Sequence, residues 1–179
     1  RIIGNSTPRF KYGITLDAAW KGFDFSIFMQ GIGKRDLWLD GCYFWGANGQ
    51  GNEWQSTGFA EHWDFFRPEG DPLGANLNSY YPRVNFSGDR NTKVQTRYLQ
   101  NGAYLRLKNV QLGYTLPRVW TEKAGISSVR VYVSGDNLAT ITSLSKIFDP
   151  EATGSLAGTG SGKLYPLQRV ISVGVNVNF

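Results

Sequence analysis

Residues Arg169–Phe179 read R-V-I-S-V-G-V-N-V-N-F, and no other stretch constrains the fold as strongly. Ile171, Val173, Val175, Val177 and Phe179 alternate with Ser172, Gly174, Asn176 and Asn178. Side chains alternate across a strand with period two, so one face is dry and the other wet. The dry face is almost wholly β-branched and ends on the aromatic Phe179. A strand that crosses a bilayer needs about 9–11 residues, and this segment has that length. A soluble edge strand can alternate in the same way, but the terminal aromatic inside the pattern favours the membrane reading.

Composition agrees with this. Mean hydropathy is −0.32, and no stretch approaches the run of about 20 apolar residues that a membrane helix needs. A barrel wall is apolar only at every second residue, so low mean hydropathy is expected of it. Aromatics make up 15% of the chain and there are 22 glycines. One cysteine (Cys42) and one histidine (His62) exclude a disulfide framework and leave no Cys/His zinc site. Net charge is +5 without a Lys/Arg block, so no nucleic-acid partner is expected.

Further strands show the same period. Phe10, Tyr12, Ile14, Leu16, Ala18 and Trp20 alternate with Lys11, Gly13, Thr15, Asp17 and Ala19. After a tight turn at Lys21-Gly22, Phe23, Phe25, Ile27 and Met29 alternate with Asp24, Ser26, Phe28 and Gln30. Leu105 and Leu107 hold one parity and Val110, Leu112, Tyr114 and Leu116 the other, so a β-bulge is expected near Lys108-Asn109. Val129, Val131 and Val133 open a fourth strand. The expected strands are therefore 9–20, 22–33, 104–116, 128–139 and 169–179, with a helical turn near Thr121–Ala124.

The stretches 34–95 and 142–166 lose all period and are rich in Gly, Asn, Asp, Pro and aromatics. Connections this long are unusual in compact domains, but they are ordinary on the outer face of a membrane barrel. Short and long connections alternate, which puts Trp20, Phe23, Tyr114, Trp120 and Phe179 at one end of the sheet. Aromatics at one level resemble an interfacial girdle, although a core end rich in aromatics would look similar. Five strands cannot close a membrane barrel, and open edges are not tolerated in lipid. The expected fold class is all-β: an antiparallel transmembrane β-barrel segment of about five strands belonging to a larger barrel and a longer chain.

Several stretches resemble the C-terminal barrel segment of SusC/RagA-like TonB-dependent outer-membrane transporters of Bacteroidetes. They are R-I-I-G-N-S-T-P-R-F at 1–10, W-K-G-F-D-F-S-I-F-M-Q-G at 20–31 and Y-L-R-L-K-N-V-Q-L-G-Y-T-L-P at 104–117. S-G-D-N-L at 134–138, F-D-P-E at 148–151 and Y-P-L-Q-R at 165–169 continue the match in order. The resemblance implies a barrel of about 22 strands with a plug domain outside this chain. It implies import energised through TonB, with a SusD-like surface lipoprotein as partner and an oligosaccharide or peptide as substrate. It places the protein in the outer membrane of a Gram-negative bacterium, with the long loops extracellular. Ser172, Gly174, Val177 and Phe179 resemble the signal by which the barrel-assembly machinery takes up a terminal strand, and a strand with an open edge is a template for such pairing.

Within the first long loop, Trp38, Tyr43, Trp45, Trp54 and Trp63 are the candidate contacts for substrate or lipoprotein. The plainer alternative is that they pack the loop on itself. Lys11, Thr15, Asp17, Asp24, Gln30, Arg106 and Lys108 are expected to face a water-filled lumen. Asp36, Asp40, Glu53 and Asp71 are acidic loop residues without a calcium-loop spacing. His62, flanked by Glu61 and Asp64, has no oriented partner, so it is expected to be a solvated loop residue rather than a base. The runs Gly158–Lys163 and Gly46–Gly51 fit neither a phosphate loop nor a dinucleotide fingerprint. No catalytic residue, metal or cofactor is expected. A soluble β-sandwich that binds carbohydrate and a barrel without a transport role are the competing readings.

Overall fold

The structure, a computed structural model, describes residues 1–49, 58–153 and 164–179. In chain order its strands are β1 (Phe10–Trp20), β2 (Phe23–Gly33), β3 (Asp36–Leu37), β4 (Gln100–Asn101), β5 (Tyr104–Thr115), β6 (Ser128–Thr142) and β7 (Val170–Asn178). The chain divides into two compact units. One comprises Thr7–Arg35, Gly102–Ser143 and Leu167–Phe179; the other comprises Arg1–Ser6, Asp36–Asn101 and Leu144–Pro166.

The first unit is a single antiparallel sheet in the order β1-β2-β5-β6-β7. Its strands are sequential neighbours, the up-and-down arrangement that short connections favour. The β1–β2 turn places Lys21 at φ 46° and Gly22 at φ 87°. Both central residues are thus left-handed, as in the two-residue turns whose twist matches that of the strands. Lys21 lies over the Trp20 ring, with Nζ 4.9 Å from its centroid.

The parity change in β5 has its cause in a bulge. Met29 pairs with Leu107 and Phe28 with Asn109, so Lys108 is the extra residue on β5. On the other side Leu107 pairs with Ala139 and Asn109 with Asp136, so two residues of β6, Asn137 and Leu138, stand against the single Lys108. Asn137 takes φ 52°, and its side-chain amide donates to the Gln168 carbonyl at 3.1 Å. The S-G-D-N-L stretch is thus the irregularity that keeps both ends of β6 on one face.

With the bulge in place, every apolar row falls on one side. Ile14, Ile27 and Val110 share it with Leu16, Phe25, Leu112, Val133 and Val173. Leu16 is 55% exposed, Leu112 51% and Val173 72%. An apolar face of this extent bared to solvent marks a surface that meets lipid or another protein. This overturns the soluble-sandwich alternative, which needs a second sheet packed on the first. Among the described residues the other sheet is the two-residue β3–β4 ladder. No helix among them is long and apolar enough to cross a membrane.

The second unit has its own core. Leu37, Leu39, Phe44, Trp45, Tyr81, Tyr98, Leu144 and Phe148 are buried together. One helical turn, α1 (Cys42–Trp45), and 3-10 turns at Ala60–Trp63 and Thr96–Tyr98 supply several of them or their neighbours. The described parts of the long loops are therefore packed on their own small core. In the sheet unit the β5–β6 connection carries α2 (Arg118–Thr121) and a 3-10 turn at Glu122–Ala124.

Candidate functional site

In the loop unit the aromatic candidates separate by burial. Trp45 is 1% exposed and sits 4.8 Å from Tyr98 and 5.1 Å from Phe44, centroid to centroid. It is a packing residue with no face left for a ligand. Trp38 is half-buried against it at 5.9 Å. Tyr43 is half-buried and lies 5.5 Å from Phe59. Together with Ala60, Glu61, Lys146 and Ile147, the Tyr43 and Phe59 rings line an open recess of about 480 Å³. Trp63 is 60% exposed. Trp54, Glu53 and the Gly158–Lys163 run lie outside the described residues.

His62 is not the solvated residue that its loop position suggests. Its Nδ1 accepts from the Phe59 amide at 3.0 Å, so the proton sits on Nε2, which donates to the Phe44 carbonyl at 3.1 Å. Gly46, at φ 58°, leaves the space beside the ring that a side chain would take. Burial holds the His62 pKa below its ordinary value, because a charged imidazole is poorly solvated there. With both nitrogens committed to backbone, His62 ties two turns together and has no atom free for proton transfer.

The acidic residues act in the same way. Glu61 accepts from Ser145 Oγ at 2.6 Å and the Lys146 amide at 3.0 Å, joining two distant stretches. Asp64 accepts from Asn76 Nδ2 at 2.9 Å and the Tyr80 amide at 3.0 Å. Asp36, Asp40 and Asp71 each accept from a backbone amide, those of Asn5, Gly41 and Leu73. Among the described residues no group of three His, Cys, Asp or Glu is placed to hold a metal ion. Sequence reasoning missed Arg67. Its guanidinium lies over the rings of Phe65 and Trp63, at 4.8 and 5.5 Å. It also donates to the carbonyls of Gly74 (2.7 Å) and Trp63 (2.9 Å). The R-P-E-G-D-P turn sequence that it opens was the available signal. Burial raises the pKa of Tyr80, Tyr81 and Tyr98, so these phenols are neutral at physiological pH.

In the sheet unit the face opposite the apolar one is polar. Lys11, Thr15, Asp17, Asp24, Gln30 and Arg106 fall on it by register, and Lys108 occupies the bulge. Arg130 pairs with Asp24 across β5; with the Gln111 amide assigned so that its oxygen faces Arg130, that oxygen accepts from both guanidinium NH2 groups. Asn109 donates to Asp136 at 2.7 Å and Arg106 to Thr140 at 2.8 Å. Trp20, Phe23, Trp120 and Phe179 are exposed at the short-turn end, where the Phe23 and Tyr114 rings lie 4.5 Å apart. In β7, Ser172 and Gly174 lie on the polar face and Val177 on the apolar face, followed by the exposed Phe179.

Long antiparallel strands, one continuous apolar face, one hydrogen-bonded polar face and bulky ordered loops define a segment of an outer-membrane β-barrel. No family model matches the chain. It is 32% identical over 189 residues to TonB-dependent receptor P3 of Formosa agariphila, covering 100% of this chain and 17% of the relative. It is 28% identical to TonB-dependent receptor P26 of the same organism, covering 99% of this chain and 18% of the relative. Among solved structures it superposes on the RagAB peptide transporter with TM-score 0.75 and 27% identity. On the RagAB peptide importer in its open-open state the values are 0.70 and 25%. Both superpositions cover 100% of this chain and 18% of the other. The chain is a barrel segment of a SusC/RagA-like TonB-dependent receptor. It spans under a fifth of the length of the relatives it matches.

Proposed function

We propose that this segment forms part of the wall and extracellular loops of an outer-membrane importer energised through TonB. The observation that carries the reading is the two-faced sheet, joined to a likeness to TonB-dependent receptors that runs the whole length of the chain. The apolar face meets the acyl chains and the polar face borders the lumen and the plug, which other parts of the receptor supply. The loop unit is extracellular. It presents Trp63, Trp38 and the Tyr43–Phe59 recess to a SusD-like lipoprotein or to the substrate. The likeness to a peptide importer favours a peptide over an oligosaccharide. The terminal strand, through Ser172, Gly174, Val177 and Phe179, is the element taken up by the barrel-assembly machinery.

Deleting the receptor gene in its host and restoring it tests this directly. Uptake of labelled oligopeptides should vanish on deletion, return on complementation and stop when a protonophore collapses the inner-membrane gradient. Uptake of labelled oligosaccharides in place of peptides would reassign the substrate. Uptake that ignores the protonophore would remove TonB from the account.

A further inference from the structure

One lateral row of the polar face crosses all five strands at Ala19, Asp24, Gly113, Tyr132 and Gly174, each the ladder partner of the next. Along it, large side chains lie over absent ones. A Cβ on Gly113 would stand 2.5 Å from Arg130 Nη2 and 2.6 Å from Asp24 Oδ2, because the Asp24–Arg130 ion pair passes over that glycine. A Cβ on Gly174 would stand 2.5 Å from Tyr132 Oη and 2.7 Å from Cε1, because the Tyr132 ring occupies that place. Carbon atoms pack at about 3.5–4.0 Å, so neither position accepts a side chain without movement. The Arg130 guanidinium in turn lies 5.1 Å from the Tyr132 ring centroid. Carboxylate, guanidinium, ring and bare backbone form one chain of contacts from β2 to β7. Gly174 is also the one residue of β7 that is not exposed.

Near its ends β7 is tied by the Asn137 amide to the Gln168 carbonyl at 3.1 Å and by the Asn178 amide to Ser128 Oγ at 2.9 Å. No tight turn fixes its register as the two-residue turn fixes that of β1–β2, because Thr142 and Val170 are joined by a long connection. A slip by one residue would turn the valines to the polar side. A slip by two would not, because it preserves the alternation: Ile171, Val173, Val175 and Val177 are interchangeable on the apolar face. It would, however, bring Ser172 or Asn176 beneath Tyr132, where a Cβ would displace the ring.

We infer that Tyr132 seated on Gly174 is the register key of the terminal strand, and that Tyr132 is a positioning residue for assembly of the receptor into the outer membrane. The assembly role rests on the reading of β7 as the assembly signal. It gives the glycine of that signal a partner within the chain itself.

The test uses the full-length receptor in its own outer membrane, with Cys42→Ser as background. Assembly is followed by heat-modifiable mobility, and register by disulfide trapping between Ser134→Cys and Ser172→Cys, which are direct partners. Gly174→Ala should lower the assembled fraction by about tenfold, the scale of overpacking a tight site. Adding Tyr132→Ser to Gly174→Ala should restore most of it. Tyr132→Ser alone should permit a second trapped pair, Ser134→Cys with Val170→Cys or Asp136→Cys with Ser172→Cys, which the unaltered register forbids. A Gly174→Ala defect that persists without the Tyr132 ring would overturn the inference, since the glycine would then be read by the assembly machinery directly. A single register in Tyr132→Ser would also overturn it. Deleting Phe179 separates the two readings: normal assembly of that variant removes the signal, while the trapping result decides the register key alone.

Discussion

Val175→Arg places a charge on the apolar face at the depth where it is most costly. Val175 pairs with Val131 and is 58% exposed on that face. It lies four residues from Phe179, so about 13 Å along a strand rising about 3.3 Å per residue. At a tilt near 40° that is about 10 Å of depth, close to the middle of an apolar band about 25 Å tall. Val173 lies beyond the middle by the same reckoning. An arginine at the midplane costs about 2–4 kcal/mol, roughly 25- to 700-fold in the folding equilibrium. The measurement is guanidinium titration of the full receptor in bilayers, comparing midpoints and slopes. Asn176 is a poor control, because it stands directly opposite Arg130 and a new cation there meets a like charge. Ser134, on the polar face between Gln111 and Ser172, is the proper one, and Ser134→Arg should cost under about 1 kcal/mol as a lumen substitution. Equal costs at 175 and 134 would refute the assignment of the faces.

Three further outcomes test the loop unit. Trp45→Ala should destabilise it by about 3–5 kcal/mol through the cavity it leaves, whereas Trp63→Ala should change stability by under about 1 kcal/mol; hydrogen exchange of the Phe44 and Tyr98 amides separates them. If Trp63 contacts a ligand, its loss weakens uptake without altering exchange. Arg67→Lys keeps the charge but loses the planar stack and the paired carbonyl bonds, and should open residues 63–76 to proteolysis by about tenfold, equivalent to about 1.4 kcal/mol. For His62 the folded-state pKa lies below the unfolded one, so its contribution is complete above about pH 6.5 and is lost as pH falls from there through the folded value. The protection factor of the Phe59 amide, the exchange rate corrected for its intrinsic pH dependence, should therefore fall on acidification, and His62→Ala should abolish that fall.

The alternation of β1, β2 and β7 was legible because a period of two needs only local side-chain chemistry to be read. The β5 parity change could be read as a bulge for the same reason. Its counterpart at Asn137-Leu138 could not, since it exists only to match a strand far back along the chain. The aromatic loops were legible as ordered but not in detail. Trp45 and Trp63 have similar surroundings in the sequence, yet one is core and the other exposed, because Tyr98 and Tyr81 arrive from far along the chain to cover only the first and its neighbour Phe44. His62 shows the same limit, since the Phe44 carbonyl that engages it lies 18 residues earlier.

Residue pattern alone determined that this chain makes long two-faced strands with alternating short and long connections, and that its closing strand has one dry side. Local chemistry suffices for that, because pleating sorts side chains regardless of what pairs with them. Tertiary structure decided which glycines are seats for a neighbour's side chain, which acidic residues staple loops and which aromatics are core. Each of those depends on an atom brought from a distant strand or loop, and no local period records where it comes to rest.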